Sequence, residues 1–318
     1  MKAAVIGAGM AGVTSARRLS EQGMTVTLFD KSKGTGGRLS SRSWQGGWID
    51  HGAPYFAARS DAFTTYLETH LDAQVMQLWQ AQISGLPAPD ESPGYIGVPR
   101  NSSITRAMFG DINFQPSTRI ARLEREGNRW LLFNDGESLL GHWDLVVVTA
   151  PAPQTYALVR EIPELATQVQ KVEMEPCWVA AIQLFSPLNV DAEVIIDPAA
   201  AGLRRIVANS AKPLRNNKGI YMLQASADWS LEHLEQPPER VGTMLSALFA
   251  RCFSLITPPE LLFAHRWRYA FTKKSLEREF LWSQGLKIGI CGDWCLGRSV
   301  EDAWTSAMAL SSHIQTDR

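Results

Sequence analysis

The sequence predicts an α/β protein of two units, one built around a parallel sheet and one α+β unit built on an antiparallel sheet. Three observations predict it. The chain opens on an apolar strand, a glycine turn, a helix, a second strand and an acid, all within about thirty residues. Its middle carries short alternating strands separated by turn residues. Near its end a buried-looking strand runs into Gly292-Asp293 and then into a helix.

Lys2 to Ile6 is short, apolar and β-branched at its end, and reads as a buried strand. Gly7 permits the tight turn out of it. Gly9 lets backbone approach a pyrophosphate, and Gly12 lets the following helix pack on the sheet. That helix, Met10 to about Gln22, aims its free N–H groups and positive dipole end at the turn, so Met10 and Ala11 belong to the same seat. Gly23 stops the helix and Met24 to Phe29 returns as a strand. Asp30, eighteen residues after Gly12, then stands where a carboxylate accepts from a ribose diol, with Lys31 beside it. An acid there disfavours a 2′-phosphate, so the seat suits NAD or FAD rather than NADP.

Ser60 or Asp61 caps a helix in which Phe63, Tyr66, Leu67, Leu71, Val75 and Leu78 keep helical spacing. Gly85 to Gly94, with Leu86-Pro87-Ala88-Pro89, reads as a surface loop, and a short helix fits Ser103 to Met108. A β-meander follows: Thr118 to Arg125, a Gly127-Asn128 turn, Arg129 to Phe133, and a hairpin at Asn134-Asp135-Gly136. Asp144 to Thr149 is a dense apolar strand that Ala150-Pro151-Ala152-Pro153 breaks. Further strands fit Cys177 to Phe185, Glu193 to Ile196, Arg204 to Asn209, Gly219 to Ala225 and Leu261 to Tyr269, with a helix over Pro238 to Cys252. Their alternation suits an antiparallel sheet with one solvated face. No internal repeat or low-complexity tract interrupts the chain.

Composition narrows the function classes. At 318 residues, with 45% hydrophobic and 20% charged residues, the chain has globular values and room for two domains. A net charge of −1 gives no electrostatic case for nucleic acid or an anionic membrane as partner. Cys177, Cys252, Cys291 and Cys295 are too sparse for a disulfide framework, and the spacing around Cys291 and Cys295 gives no metal set, so both read as packing residues. The apolar start is too short for a secretion signal, and no run approaches a membrane span of ~18 residues. A cytoplasmic protein is expected. Eleven tryptophans are many; most must pack, and some can line a cavity. The absence of a second glycine fingerprint argues against a separate NAD(P)H-docking domain.

Two further segments separate FAD from NAD. One is Lys33-Gly34-Thr35-Gly36-Gly37-Arg38 followed by Ile49-Asp50-His51-Gly52-Ala53-Pro54-Tyr55-Phe56. The other is Gly289-Ile290-Cys291-Gly292-Asp293-Trp294 followed by Ser299-Val300-Glu301-Asp302-Ala303-Trp304-Thr305-Ser306-Ala307. With the opening fingerprint, in this order, they resemble the flavin amine-oxidase superfamily (monoamine oxidases, phytoene desaturases, protoporphyrinogen oxidases). Gly36 and Gly37 offer bare backbone and Arg38 a cationic fork near phosphate. The Gly292-Asp293 strand end and the helix from Val300 can hold the ribityl chain and the flavin edge. The resemblance implies a Rossmann-like FAD-binding domain over 1–58, 100–154 and 286–318, and a substrate domain over 59–99 and 155–285. It adds Ala53, Pro54, Tyr55, Phe56, Ile120, Val300, Glu301 and Ala303 to the cofactor contacts, with FAD held non-covalently.

Within the superfamily, the Asp50 to Phe56 loop, the strand His265-Arg266-Trp267-Arg268-Tyr269-Ala270 and the Cys291 to Trp294 turn look most like bacterial renalase. The chain departs from that pattern at Asn101-Ser102-Ser103, at Asp302-Ala303 and at Ala307. Renalase resemblance implies an oxidase that returns 2- or 6-dihydro isomers of NAD(P)H to NAD(P)⁺ and passes the electrons to O₂, making hydrogen peroxide. Loss of hydride makes the donor ring aromatic, so no catalytic acid or base is required; the protein must orient donor and flavin. Tyr55, Tyr221, His265, Trp267, Tyr269 and Trp294 are candidates for the substrate cavity, His265 as a hydrogen-bond partner of the carboxamide, and core packing is the competing role for each. Arg204, Arg205 or Arg215 could meet substrate phosphates or lie at a solvated strand edge. Two other readings stand beside this one: an amine oxidase using Lys273 or Lys274 near the flavin, for which an exposed loop is the competing role, and a non-catalytic FAD-binding protein.

Overall fold

Strand Lys2–Ile6 is central to a six-stranded sheet ordered Leu281–Ser283, Ile288–Ile290, Leu145–Val148, Lys2–Ile6, Thr25–Phe29 and Asn113–Gln115. Every pair is parallel except the first, which is antiparallel. The computed structural model describes residues 1–86, 94–186, 188, 190–198 and 201–317; the proline-rich stretch expected around Leu86-Pro87-Ala88-Pro89 lies largely outside them. Register sets Ile6 beside both Phe29 and Val148, so Gly7, Asp30 and Thr149 all leave the sheet along one edge. Leu145–Val148 is buried at every position, as a strand covered on both faces must be. Alternate residues go to opposite layers. Ala3 and Val5 pack under helices Met10–Glu21 and Val300–Thr316, while Ala4 and Ile6 face the meander and helices Ala152–Val159 and Pro163–Val169.

The meander is Ile120–Glu126, Arg129–Asn134 and Leu139–Trp143, turning where Gly127-Asn128 and Asn134-Asp135-Gly136 predict. Asn134 Oδ1 accepts from the Gly136 and Ser138 amides and closes the second turn.

The second sheet is ordered Glu260–Lys274, Glu173–Gln183, Ile220–Ala225, Leu203–Ala208, Val194–Ile196 and Ile83–Ser84. All pairs are antiparallel except the last. The expected solvated face is not there. Trp178, Ala180, Ile182, Ile206 and Leu223 pack against helix Pro238–Cys252. Cys177, Val179, Val207 and Met222 point the other way, toward Ile49 and Tyr55.

Three expectations need correction. The helix begun by Ser60, whose hydroxyl accepts from the Phe63 amide, ends at His70, not near Leu78. Leu71 is already extended, at φ −132° and ψ 127°, Asp72 Oδ1 takes the Gln74 amide, and Met76–Leu78 pairs with Tyr95–Gly97. That helix packs Phe63 and Leu67 into the core of Val5, Ala16 and Trp304, so it sits with the parallel sheet and not with the antiparallel one. Residues 152–172 and strand Leu281–Ser283 also join the parallel-sheet side. Among the described residues no helix is long and apolar enough to cross a membrane, and no group of His, Cys, Asp or Glu could hold a metal ion. All four cysteines are free thiols.

Candidate cofactor and substrate site

Gly7 takes φ +105° and closes the turn, its amide donating to Phe29 O at 2.8 Å. Thr149 Oγ1 donates to the carbonyls of Ile6 and Gly7 at 3.0 and 3.1 Å, fixing the turn from the neighbouring strand. The helix that follows has Gly9 as its N-cap, with no side-chain cap and no acid in its first turn. Its leading amides and dipole therefore face the cavity without a protein anion to meet them. Asp30 Oδ2 accepts from the Ala8 amide at 2.7 Å and Oδ1 from the Ser32 amide at 2.7 Å. Asp30 thus braces the glycine loop, and each oxygen keeps a lone pair for a ribose hydroxyl.

The second arm lies against the first. Gly36 N donates to Ala8 O at 2.9 Å, and a Cβ on Gly37 would stand 3.2 Å from Gly9 Cα. Arg38 crosses to the C-terminal arm, Nη1 reaching Asp293 Oδ2 at 2.8 Å and Ala270 O at 3.2 Å, with Nη2 on Asp293 Oδ1. The cationic fork expected for phosphate instead ties the two ends of the chain together. Gly292 is placed by its amide, which donates to Ser306 Oγ at 3.0 Å. Helix Val300–Thr316 begins with a reciprocal capping box between Ser299 and Asp302.

The Asp50 to Phe56 loop rests on a network that no sequence motif announced. Asp50 is buried, accepting from Ser41 Oγ and Asn101 N through Oδ1 and from Lys212 Nζ (2.9 Å) and Arg215 Nη2 (2.6 Å) through Oδ2. Burial would raise its carboxyl, but the two cations hold it well below the usual carboxylate range. Asn101 is the clamp: Nδ2 donates to Ala53 O and Pro54 O at 2.8 and 3.0 Å, and Oδ1 accepts from Gly97 N. Ala53 N in turn donates to Arg38 O at 2.7 Å.

The opposite wall is the strand segment His265 to Phe271. The His51 ring stacks on Trp267 at 5.6 Å and 22° and meets His265 edge-on at 5.1 Å; Trp267 Nε1 donates to His51 O at 2.8 Å. Burial, with His265 and Arg42 adding to it, pulls the His51 pKa down from 6.5 to about 4, against the opposing Asp50 charge. Between pH 4 and 6.5 the unfolded chain binds the His51 proton and the folded chain does not, so stability rises with pH. Above pH 6.5 the group is neutral in both states and costs nothing; the penalty grows as pH falls and reaches about 3 kcal/mol by pH 4. Denaturant unfolding from pH 4.5 to 7 is expected to show a slope about one proton shallower in His51→Gln than in the parent; equal slopes would contradict it.

These arms enclose one continuous cavity of about 1270 Å³. Gly7, Gly9, Met10, Ala11, Asp30, Lys31, Gly36, Gly37, Arg38, Ala53, Pro54, Tyr55, Phe56, Ile120, Gly292, Asp293, Val300 and Ala303 line it, as do His265, Trp267 and Tyr269. Five expected contacts stand elsewhere. Gly12 lies beneath the loop, where a Cβ would fall 1.7 Å from Gly7 O. Glu301 is buried and takes the Arg59 and Ser60 amides at 2.6 and 3.0 Å, capping the neighbouring helix. Trp294 is fully buried, its Nε1 donating to Ala150 O. Tyr221 packs on Phe249 behind the second sheet, 5.6 Å away, because strand parity puts Met222 and not Tyr221 on the near face. Arg215 is consumed by Asp50. Arg205, by contrast, is buried in the cavity wall and not at a wet edge. Lys273 and Lys274 end the long strand exposed, Lys273 lying 3.9 Å from Glu175, and do not line the cavity.

A group with an adenine–ribose–pyrophosphate stem fits this cradle: bare backbone at Gly9 and Gly37, uncapped helix amides, and an acid at the strand end. The volume exceeds the ~300–1,000 Å³ of an ordinary small-ligand pocket, leaving space for a second molecule.

Comparison with known proteins agrees with the geometry. Residues 5–69 match a family model described as an NAD(P)-binding Rossmann-like domain. Over 52 residues the chain is 44% identical to 4,4′-diapophytoene desaturase (4,4′-diaponeurosporene-forming) of Staphylococcus aureus strain Newman, a match covering 16% of this chain and 10% of that relative. A candidate protoporphyrinogen oxidase from Exiguobacterium sp. 255-15 superposes with a TM-score of 0.77 at 12% identity, over 100% of this chain and 99% of the other. A putrescine oxidase redesigned in its cofactor binding gives a TM-score of 0.68 at 10% identity, over 98% of each chain. The fold is that of the two-domain flavin oxidoreductases: a mixed α/β molecule with a Rossmann-like dinucleotide-binding unit.

Proposed function

We propose that this chain is an FAD-dependent oxidoreductase of the renalase kind, which takes a hydride from a 2- or 6-dihydro isomer of NAD(P)H and releases NAD(P)⁺. The observation that carries the reading is the single cavity running from the glycine loop to the aromatic wall, large enough for a dinucleotide and a donor together. Gly7, Gly9, Met10, Ala11 and Asp30 would hold the ADP half of FAD non-covalently; Gly36, Gly37, Ala53 to Phe56, Gly292, Asp293, Val300 and Ala303 would hold the rest. When bound, FAD supplies a two-electron acceptor that O₂ reoxidises to release hydrogen peroxide.

The chain's own groups supply position, not proton transfer. His51, held neutral by burial, and His265 present imidazoles beside Trp267 without adding positive charge against a ring that becomes cationic as it is oxidised. Trp267 is fixed by its bond to His51 O and, with the His51 and His265 rings against it, would form the aromatic wall that positions a pyridine ring.

The likeness to putrescine oxidase raises amine oxidation as a second reading. Charge weighs against it: among the described residues the cavity is lined by ten Lys and Arg side chains and two aspartates. Asp293 is taken by Arg38, and Asp30 stands at the glycine-loop end of the cavity, away from the aromatic wall, where it braces two backbone amides. A cationic amine has no carboxylate waiting for it, whereas a dinucleotide's phosphates meet an attractive field.

The test is anaerobic mixing of the FAD-loaded protein with 2-dihydro, 6-dihydro and ordinary 4-dihydro NADH. Loss of the yellow flavin absorbance is expected to be at least 100-fold faster with the 2- or 6-isomer, a difference of about 2.7 kcal/mol in barrier. Equal rates for all three would end this reading, and rapid reduction by an amine alone would replace it.

A further inference from the structure

We propose that a bulge in the second sheet builds an acyl-recognition subsite at the substrate end of the cavity, where Arg205 and Gln224 read the carbonyl oxygen of a carboxylate or carboxamide on the hydride donor. The inference deepens the function proposed above and rests on it for the donor's position.

In a regular strand Arg204 and Arg205 would face opposite sides of the sheet. Here the register against strand Ile220–Ala225 slips, Leu203 lying opposite Ala225 and Arg205 opposite Gln224. The extra residue of a bulge re-aims side chains. Leu203 and Ile206 point to helix Pro238–Cys252, while Arg205 lines the cavity and Arg204 lies 4.6 Å over Phe271, itself a cavity residue. Both guanidinium groups therefore leave the strand on one face of the sheet, and Arg205 lines the cavity.

Arg205 is 4% exposed and Gln224 5%, and both line the cavity. Arg205 Nη1 donates to Gln224 Oε1 at 3.3 Å, and its guanidinium stands 5.5 Å over the Tyr55 ring. The pairing uses the Gln224 carbonyl as acceptor. It orients a planar cationic fork and a side-chain amide across a buried surface, the donor geometry that suits an acyl oxygen. His265 and Trp267 stand on the same cavity's wall, so an aromatic ring on Trp267 and its acyl substituent near Arg205 would be read by different residues. A protonated amine placed there would meet the like charge of Arg205.

The test uses the FAD-loaded chain and follows the visible flavin spectrum during titration with nicotinate, nicotinamide and benzylamine. Nicotinate or nicotinamide is expected to perturb the spectrum saturably, and benzylamine to bind at least tenfold more weakly. Whichever of the first two binds more tightly identifies carboxylate or carboxamide as the preferred acyl form. Arg205→Met is expected to weaken both about tenfold or more, and Gln224→Leu about three- to tenfold. Should Arg205→Met fail to fold, Gln224→Leu decides alone. Unchanged affinities in FAD-loaded variants, benzylamine binding as tightly as the acyl compounds, or no binding of any probe would overturn the subsite. A chain that takes up no FAD would instead sink the function on which it rests.

Discussion

Asp50→Ala is expected to cost about 3–5 kcal/mol of stability and to strip FAD from whatever protein remains folded. The carboxylate and its partners Lys212 and Arg215 all have fully buried side chains. Removing the anion leaves two cations without a counter-charge in a low-dielectric interior, the costly case for a buried ion group. The two cations do not respond alike. Burial already lowers the Lys212 pKa to about 8 despite the attraction of Asp50, so in the variant it falls further and the amine sheds its proton. Arg215 cannot. The variant should therefore recover part of its stability between pH 6 and 8, where the parent's Lys212, at about 8, still holds its proton. The local damage reaches the site directly, since Asp50 also takes the Asn101 amide, and Asn101 holds the carbonyls of Ala53 and Pro54. Denaturant midpoints at several pH values, read beside flavin content, check both claims. A variant as stable and as yellow as the parent would show that the network is ornamental.

That network also marks the limit of what the sequence disclosed. The cradle's first arm was legible because its geometry is local: Gly7, Gly9, Asp30 and the helix between them fall within one strand–helix–strand unit, and steric rules for glycine dictate their positions. The meander was legible through turn chemistry, and helix Pro238–Cys252 matched its expected bounds because proline starts it and its apolar stripe ends with it. The overextended helix after Ser60 shows the opposite case. Apolar spacing persists to Leu78, yet strand pairing of Met76–Leu78 with Tyr95–Gly97 wins over periodicity. Asp50, Asn101, Lys212 and Arg215 are brought together across up to 165 positions, and no spacing rule links them. Tyr221 was misplaced by one residue of strand parity and Arg205 by a bulge; both are facts of register, fixed by partner strands rather than by neighbours in sequence. A charged pair such as Arg204-Arg205 inside a strand otherwise apolar at Leu203, Ile206 and Val207 is the one signal that pointed to a function for that strand.

Gly12→Ala is expected to abolish FAD retention while leaving the protein folded. The added methyl would lie 1.7 Å from Gly7 O, 2.8 Å from Gly7 C and 2.9 Å from Thr149 Oγ1. Backbone cannot yield as a flexible side chain can, so the turn Gly7 to Gly9 must move away from the helix. That movement breaks what the turn supports: the bonds from Thr149 Oγ1 to the Ile6 and Gly7 carbonyls, the Ala8 amide on Asp30, and the Gly36 amide on Ala8 O. A displacement of about 1 Å is enough to misplace a bound group. The sheet beneath should survive, because Lys2–Ile6 keeps both parallel neighbours and its buried apolar contacts. Gly285→Ala is the matched control, since a Cβ there meets nothing within 4 Å. The measurement is flavin bound per chain after purification with excess FAD, beside a far-ultraviolet dichroism spectrum. Gly12→Ala should retain less than about one-tenth of the parent's flavin with an unchanged dichroism spectrum, which corresponds to a loss of more than about 1.4 kcal/mol in FAD binding. Full flavin content in that variant would mean that the close contact of helix and turn is not what shapes the seat.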